Sequence, residues 1–164
     1  MHIVTGACGF IGSNLVAHLN ANDHKDILLV DNLSMEKTQN LAGLCFEDLI
    51  SPAELLDSKI DQLDTIWHMG ANSSTKETDW QIVYASNVSY TRELIDKCFS
   101  NPFIFASSAS VYGNNRDTSE THYNEAPKNL YASSKLICDN IIRNNINSSK
   151  IHSWRFFNVY GNRE

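Results

Sequence analysis

Two stretches of the sequence carry the residue types needed for proton transfer. The first is the serine-rich segment 107–113, and the second is 131–135, in which Tyr131 and Lys135 lie four positions apart. On a helix that spacing places both side chains on one face. A tyrosine with its ordinary pKa of about 10 is a weak base at neutral pH, but a neighbouring ammonium favours the phenolate. We therefore predict that Lys135 lowers the pKa of Tyr131, and that Ser108 hydrogen-bonds the same substrate oxygen.

Each stretch also has an ordinary structural explanation. A Y-x-x-x-K pair occurs on amphipathic helices that half-bury a tyrosine and extend a lysine to solvent, and a polar serine loop often follows a strand. The order of the segments favours the chemical interpretation, because both follow a glycine-rich turn near the N-terminus.

In that turn Gly6, Gly9 and Gly12 are spaced G-x-x-G-x-x-G between a short β-branched run and a helical pattern. Gly6 permits a tight turn, Gly9 lets the backbone approach a pyrophosphate, and Gly12 lets the helix pack near the strand. The helix N-terminus then presents free N–H groups to the anion. Glycines that only permit tight packing are the alternative. Asp31 favours dinucleotide binding, because an acid about twenty positions after the turn can hydrogen-bond the adenosine ribose.

The residues around Asp31 leave the choice between NAD and NADP open. Asp31 favours NAD because its negative charge repels a 2′-phosphate, and Asn32 is neutral. Lys37 favours NADP if its ammonium reaches that phosphate. It is equally well explained as a solvated surface lysine.

These segments lie between alternating strand and helix patterns. Strands are predicted at His2–Thr5, Ile27–Val30, 65–67, 103–106 and Ile151–Phe156. Helices are predicted after the glycine turn, over 78–99 and over 130–145. Such alternation predicts an α/β domain with a parallel sheet covered by helices on both faces. The polar, turn-rich segment 113–128 is expected to leave the sheet as an excursion.

The composition is typical of one globular domain and excludes several function classes. The chain has 164 residues, of which 42% are hydrophobic and 20% charged, with a net charge of −6. This acidic balance argues against nucleic acid as the main partner, and no apolar run is long enough to span a membrane. Four separated cysteines and six histidines form no zinc spacing, so no metal site is predicted. The N-terminus lacks signal-peptide features, which indicates a cytoplasmic location.

Together the motifs resemble those of the extended short-chain dehydrogenase/reductase superfamily, in its nucleotide-sugar epimerase and dehydratase branch. They are TGACGFIG (5–12), DNL (31–33), HMGA (68–71), SSASVYG (107–113), YASSK (131–135) and RFFNVYG (155–161). The stretches VDNL, GANSST and FNVYGNRE are similar to the group of that branch that epimerises ADP-heptose. The resemblance implies a Rossmann-type doubly wound parallel sheet and an NAD(P)-binding domain over 1–164. The family's substrate lobe is expected to lie outside this chain.

The resemblance also implies roles for individual residues. Tyr131 would act as acid/base, Lys135 would lower its pKa and bind the nicotinamide ribose, and Ser108 would polarise the substrate oxygen. Asn158 matches a substrate-contacting asparagine, and Lys37 lies where the family contacts a 2′-phosphate, which favours NADP over NAD. Tyr131 is also an implied cofactor-binding residue. The remaining ones are Gly6, Gly9, Phe10, Ile11, Gly12, Asp31, Asn32, Gly70, Ala71, Asn72 and Asn87.

The chain departs from the family pattern at several positions. Ala7 and Cys8 stand where the family usually has Gly-Ala, and Asn162 replaces a usual proline. A second cofactor-contacting lysine of the family falls near Pro52 and is not matched. The family's additional catalytic lysine falls just beyond the segment that ends at Glu164.

The implied activity is NADP-dependent epimerisation of a nucleotide sugar, ADP-heptose, by transient oxidation at C6″, as in the synthesis of lipopolysaccharide core precursors. Two alternatives stay open. One is a 4-epimerase or 4,6-dehydratase acting on a UDP-, GDP- or dTDP-sugar, and the other is a cofactor-binding fragment without turnover. Members of the family are homo-oligomers, so the resemblance also implies self-association.

Overall fold

The computed structural model describes residues 1–32, 38–60, 63–97, 101–144 and 150–164. Its strands are β1 His2–Thr5, β2 Ile27–Val30, β3 Asp48–Ile50, β4 Thr65–His68, β5 Phe103–Ser108 and β6 Ile151–Phe156. Its α-helices are α1 Phe10–Ala21, α2 Pro52–Asp57, α3 Trp80–Val83, α4 Tyr90–Lys97 and α5 Leu130–Asn144. A π-helical turn, Tyr84–Ser89, joins α3 to α4, and 3-10 turns lie at Gln39–Leu41, Ala109–Tyr112 and His122–Asn124.

In the described part of the chain, the strands form one parallel sheet in the order β3-β2-β1-β4-β5-β6. The chain winds outward from β1 to β3 and then crosses back to place β4 on the other side of β1. In this central register Thr5 lies opposite both Val30 and His68. The reversal between β1 and β4 creates a crevice at the carboxyl ends of the strands, where such sheets bind ligands. The predicted doubly wound parallel sheet is confirmed.

Neighbouring residues of the central strand β1 feed two separate hydrophobic cores. Ile3 belongs to the cluster that includes Leu94 of α4 and Cys138 of α5. Val4 points to the opposite face and packs in the cluster that includes Val16 of α1. Because both faces of the sheet are covered, Ile3 and Val4 are both buried although they point in opposite directions, and β2 is a continuous apolar run.

Three elements differ from the sequence prediction, and one of them is helix α2, which was not predicted. Strand β3 was not predicted, because its three residues are too short to form a periodic pattern. The helix predicted over 78–99 is interrupted by the π-helical turn and is described from Trp80 to Lys97. Its predicted end at Phe99 lies outside the described residues, as does Asn145, the predicted end of the helix over 130–145.

Within the described ranges, no helix is both long and apolar enough to cross a membrane. The same ranges contain no group of three or more His, Cys, Asp and Glu side chains arranged to hold a metal ion.

Candidate functional site

A cavity of about 1340 Å³ opens at the carboxyl ends of the central strands. This volume exceeds the roughly 300–1,000 Å³ of pockets for drug-sized ligands, so it suits an extended ligand. The predicted site residues in its wall are Gly6, Gly9, Phe10, Ile11, Gly12, Asp31, Asn32, Gly70, Ala71, Asn72, Ser108, Tyr131 and Lys135. Residues that follow β1, β2, β4 and β5, although distant in sequence, therefore share one cavity.

The glycine turn is packed so tightly that side chains are excluded from it. Gly6 has φ +64°, and a Cβ there would lie 2.6 Å from the backbone of Gly70. A Cβ on Gly12 would lie 2.2 Å from the carbonyl oxygen of Gly6. Gly9 is the N-cap of α1 and offers no side-chain cap, so the first N–H groups of the helix remain available at the cavity. This cradle fits a pyrophosphate, for which helix N-termini and close backbone approach are suited.

The carboxylate of Asp31 is held beside the glycine turn by two backbone donors. Its Oδ2 accepts the Cys8 N–H at 2.9 Å, and its Oδ1 accepts the Asn32 N–H at 2.8 Å. The carboxylate is thus fixed in orientation at the cavity wall, as a ribose-binding acid must be. Lys37, which the resemblance assigns to a 2′-phosphate, lies outside the described residues.

The segment that follows β3 adds wall residues that the sequence analysis missed. Ser51, Pro52 and Ala53 line the cavity. Ser51 begins α2 with a capping box, in which its Oγ accepts the Glu54 N–H and its own N–H donates to the Glu54 carboxylate. The S-x-x-E spacing is a recognised signal for a helix start, so the sequence contained the information needed to find this segment.

The side chain of Asn87 links the loop after β4 to helix α5. Its Oδ1 accepts the Asn72 N–H at 2.7 Å, and its Nδ2 donates to the Asn72 carbonyl at 3.0 Å. Nδ2 also donates to Ser134 Oγ at 2.9 Å, which in turn donates to the Tyr131 carbonyl at 2.7 Å. Asn87 is buried in the π-helical turn and is not a residue of the cavity wall. It acts on the site through Asn72 and α5, and π-turns are frequent at functional sites.

Lys135 lines the cavity and is buried next to the end of β5. Its Nζ donates to the Ala106 carbonyl at 2.6 Å and lies 4.6 Å from the centre of the Phe105 ring. Burial lowers the pKa of this lysine to about 8, against the opposing influence of Cys138 and Asp139. The ammonium therefore keeps its charge at neutral pH in a poorly solvated place.

The effect of Lys135 on Tyr131 differs from the prediction. Burial raises the pKa of Tyr131, and the hydrogen bond with Ser108 opposes that rise. Lys135 Nζ lies 5.8 Å from the centre of the tyrosine ring and directs its hydrogen bond to Ala106. The spacing of the two residues brought them to one place, but it could not show that a backbone carbonyl competes for the ammonium.

A buried histidine that the sequence analysis did not interpret ties the glycine turn to the helices. His68 Nδ1 lies 2.6 Å from Thr5 Oγ1, and its Nε2 lies 2.8 Å from Thr91 Oγ1. Thr5 Oγ1 also accepts the Gly70 N–H at 3.1 Å. Burial, reinforced by the charge of Lys135, lowers the pKa of His68 to about 3, so the ring is neutral.

The C-terminal segment reaches the cavity, but not through the predicted residue. Phe157 and Val159 line the wall, whereas Asn158 is exposed and outside it. The Asn162 carbonyl accepts a bond from Asn14 of α1 at 2.8 Å, so the segment returns to the helix that begins at the glycine turn. Asn158 thus lies between two residues of the cavity wall but is not itself part of the wall.

Comparison with known families agrees with this geometry. A sequence model of the NAD dependent epimerase/dehydratase family matches residues 2–164. The chain belongs to this family. The resemblance noted from the motifs is confirmed.

Individual members of the epimerase/dehydratase family are similar over the whole chain. The ADP-L-glycero-D-manno-heptose-6-epimerase of Alkalilimnicola ehrlichii is 40% identical over an alignment 174 residues long. The alignment covers 100% of this chain and 54% of that protein. The Helicobacter pylori structure of the same enzyme has a TM-score of 0.85 at 28% identity, over 99% of this chain and 56% of that one. UDP-glucuronic acid 4-epimerase from Bacillus cereus, solved with UDP-glucuronic acid and NAD, has a TM-score of 0.82 at 26% identity, over 100% and 59%. The chain therefore spans little more than half the length of these relatives.

Proposed function

We propose that the protein epimerises a nucleotide sugar, with ADP-glycero-manno-heptose as the substrate and NADP as the cofactor. The observation that carries the proposal is that the glycine turn and the Ser108, Tyr131 and Lys135 side chains line one cavity. The similarity to heptose epimerases at 40% identity supports this choice of sugar. The structural similarity to a UDP-sugar 4-epimerase supports that class of enzyme as the alternative, and the activity test includes it.

In this proposal the wall residues divide the cofactor between them. The glycine turn and the first N–H groups of α1 bind the pyrophosphate, and Asp31 with Asn32 binds the adenosine ribose. Gly70, Ala71 and Asn72 border the cofactor after β4, with Asn72 held in place by Asn87. The chemistry that a nicotinamide cofactor supplies when bound is the reversible removal of hydride from C6″ of the sugar.

The protein's own part in the reaction is to move one proton and hold one oxygen. Tyr131, as the phenolate, takes the proton of the sugar hydroxyl and later returns it, while Ser108 donates a hydrogen bond to the same oxygen. Because burial raises the pKa of Tyr131 and the Lys135 ammonium bonds the Ala106 carbonyl, Lys135 is proposed to favour the phenolate only together with the positive charge that an oxidised nicotinamide would supply. Asn158 is proposed to contact the substrate from the C-terminal segment.

The proposed preference for NADP depends on Lys37. Because a lysine contact to a 2′-phosphate is a charge-assisted hydrogen bond worth roughly 1.5–3 kcal/mol, Lys37→Ala should weaken NADP binding by about tenfold or more. NAD binding should not change. Isothermal titration with both cofactors measures this, and tighter binding of NAD than of NADP by the unmodified protein would contradict the preference.

The activity is tested with ADP-D-glycero-D-manno-heptose, the protein and NADP, followed by NMR of the C6″ hydrogen. The proposal predicts the L-glycero epimer, with no solvent deuterium at C6″ in heavy water, and no product from Tyr131→Phe although that variant still binds NADP. Parallel reactions contain UDP-glucose, GDP-mannose or dTDP-glucose. Turnover of one of these instead of the heptose establishes the alternative enzyme class, and cofactor binding without any turnover establishes a binding fragment.

A further inference from the structure

The hydroxyl of Ser108 receives two hydrogen bonds from one residue, Ser110. The Ser110 hydroxyl donates to Ser108 Oγ at 2.9 Å, and the Ser110 backbone N–H donates to the same atom at 3.2 Å. Ser108 is part of the cavity wall, whereas Ser110 is not. Ser110 therefore contacts the cavity wall through Ser108.

A serine hydroxyl has one proton to donate and two lone pairs that accept. Because Ser110 fills both lone pairs of Ser108, the Ser108 proton is left for the cavity side, where Tyr131 is its hydrogen-bonding neighbour. We propose that Ser110 is a positioning residue that makes Ser108 a one-way donor to the substrate oxygen bound beside Tyr131. This inference rests on the proposed epimerase function, because that function supplies the substrate oxygen.

The turn that follows β5 holds Ser110 in place by contacts outside the cavity. Ser108 is the N-cap of the 3-10 turn Ala109–Tyr112, and its extended backbone, with φ −144° and ψ 142°, lets Oγ meet the N–H of Ser110 two residues on. At the end of the turn Tyr112 is buried, with the Arg155 guanidinium 4.8 Å from its ring centre. The donor geometry is thus built into the local fold before any ligand binds.

The neighbouring Ser107 shows that this geometry is not general to the serine-rich segment. Ser107 is 3% exposed, and among the described residues its Oγ has no hydrogen-bond partner. Of Ser107 and Ser108, only Ser108 has an Oγ that accepts two hydrogen bonds. The arrangement therefore depends on the position of Ser108 at the N-cap and not merely on the abundance of serine.

The first test removes the Ser110 hydroxyl and keeps its backbone donor. In Ser110→Ala one lone pair of Ser108 becomes free, so the Ser108 proton is no longer confined to the cavity side. We expect kcat to fall about tenfold with the KM for the sugar unchanged, as for the loss of one oriented hydrogen bond. Ser110→Thr keeps a hydroxyl and should restore kcat to within about twofold. Ser133→Ala, the same change on α5 at a residue without an assigned role, should leave both constants unchanged.

A second measurement does not require turnover. Rapid pH jumps monitored by tyrosinate absorbance give the pKa of Tyr131 when the signal of Tyr131→Phe is subtracted. The Lys135 ammonium, 5.8 Å from the ring centre, is common to all variants. Ser110→Ala should raise the pKa of Tyr131 by up to about one unit, because the donor from Ser108 is less well aligned. Ser110→Thr should leave it unchanged.

The two measurements separate failure of this inference from failure of the proposed function. An unchanged Tyr131 titration in Ser110→Ala overturns the inference, as does a loss confined to KM or an equal loss in Ser110→Thr. A raised pKa in a protein that turns over no nucleotide sugar supports the positioning role and refutes the epimerase proposal. NADP affinity, measured in parallel, shows that each variant is folded.

Discussion

Gly6 and Gly43 provide a matched pair of alanine substitutions with very different surroundings. Both have left-handed backbone, with φ +64° at Gly6 and +76° at Gly43. A Cβ on Gly43 meets nothing within 4 Å, whereas a Cβ on Gly6 would lie 2.6 Å from both the Cα and the N of Gly70. The two alanine variants therefore share one energetic cost, and only Gly6→Ala adds a backbone collision.

The shared cost is that of a left-handed L-residue, roughly 1–2 kcal/mol. The collision at Gly6 cannot be relieved by rotating a side chain, because the opposing atoms belong to the backbone of Gly70. The ends of β1 and β4 must separate, and overpacking of this kind costs about 1–3 kcal/mol. We therefore expect Gly43→Ala to lower the free energy of unfolding by about 1–2 kcal/mol, and Gly6→Ala by about 2–5 kcal/mol.

Urea unfolding of the two variants and the unmodified protein, analysed by linear extrapolation, measures the difference. Titration with NADP provides the functional counterpart, because the separation at Gly6 widens the proposed pyrophosphate cradle while Gly43 lies away from the cavity wall. Gly6→Ala should thus lose affinity and Gly43→Ala should retain it. Equal losses of stability in the two variants would refute the argument that close approach of β1 and β4 requires glycine.

Two further predictions concern buried charge. Because the pKa of His68 is lowered to about 3, the unfolded chain takes up a proton below about pH 6.5 that the folded protein does not. Stability should then fall on acidification by up to about 1.4 kcal/mol per pH unit. Urea unfolding at several pH values between about 6.5 and 4.5 gives the dependence of the free energy of unfolding on pH. This dependence should be weaker for His68→Gln than for the unmodified protein, and an equal dependence would contradict the buried neutral ring. Arg155 pairs with Glu125 and Asp139, and Arg155→Met should lower the free energy of unfolding by on the order of 3 kcal/mol. Arg143 forms a more exposed pair with Glu125, so Arg143→Met should lower it by less than about 1 kcal/mol. Equal losses of stability in thermal unfolding of the two variants would contradict this.

The parts of the fold that were predictable are those with a strong local pattern. The apolar run of β2 is visible in the sequence because burial on both faces leaves no polar alternation, and the β-branched run of β1 and the helical period of α1 are equally local patterns. Strand β3 escaped because a three-residue edge strand has almost no pattern of its own. The π-helical turn was equally hidden, since the extra residue in it shifts the helix register without changing the residue types.

The candidate site divides in the same way. The glycine spacing predicts the cradle because only a missing Cβ permits the contact between Gly6 and Gly70. By contrast, the bond of Lys135 to the Ala106 carbonyl joins elements that the sequence separates by 29 positions, so no spacing rule could report it. The role of Ser110 depends on the rotation of a single hydroxyl, which is a property of the folded turn.

The hydrogen bond between Thr5 and His68 has a consequence for the order in which the protein assembles. It joins strands β1 and β4, whose bonded residues lie 63 positions apart in sequence, and these are the two strands between which the winding of the chain reverses. Contacts of such long range form slowly, because the intervening chain must be ordered before they are rewarded. We expect the proposed pyrophosphate cradle to form only after β1 and β4 have paired, because Gly6 and Gly70 follow these two strands and approach each other closely. The rate at which cofactor affinity recovers during refolding should therefore report the rate at which β1 and β4 pair.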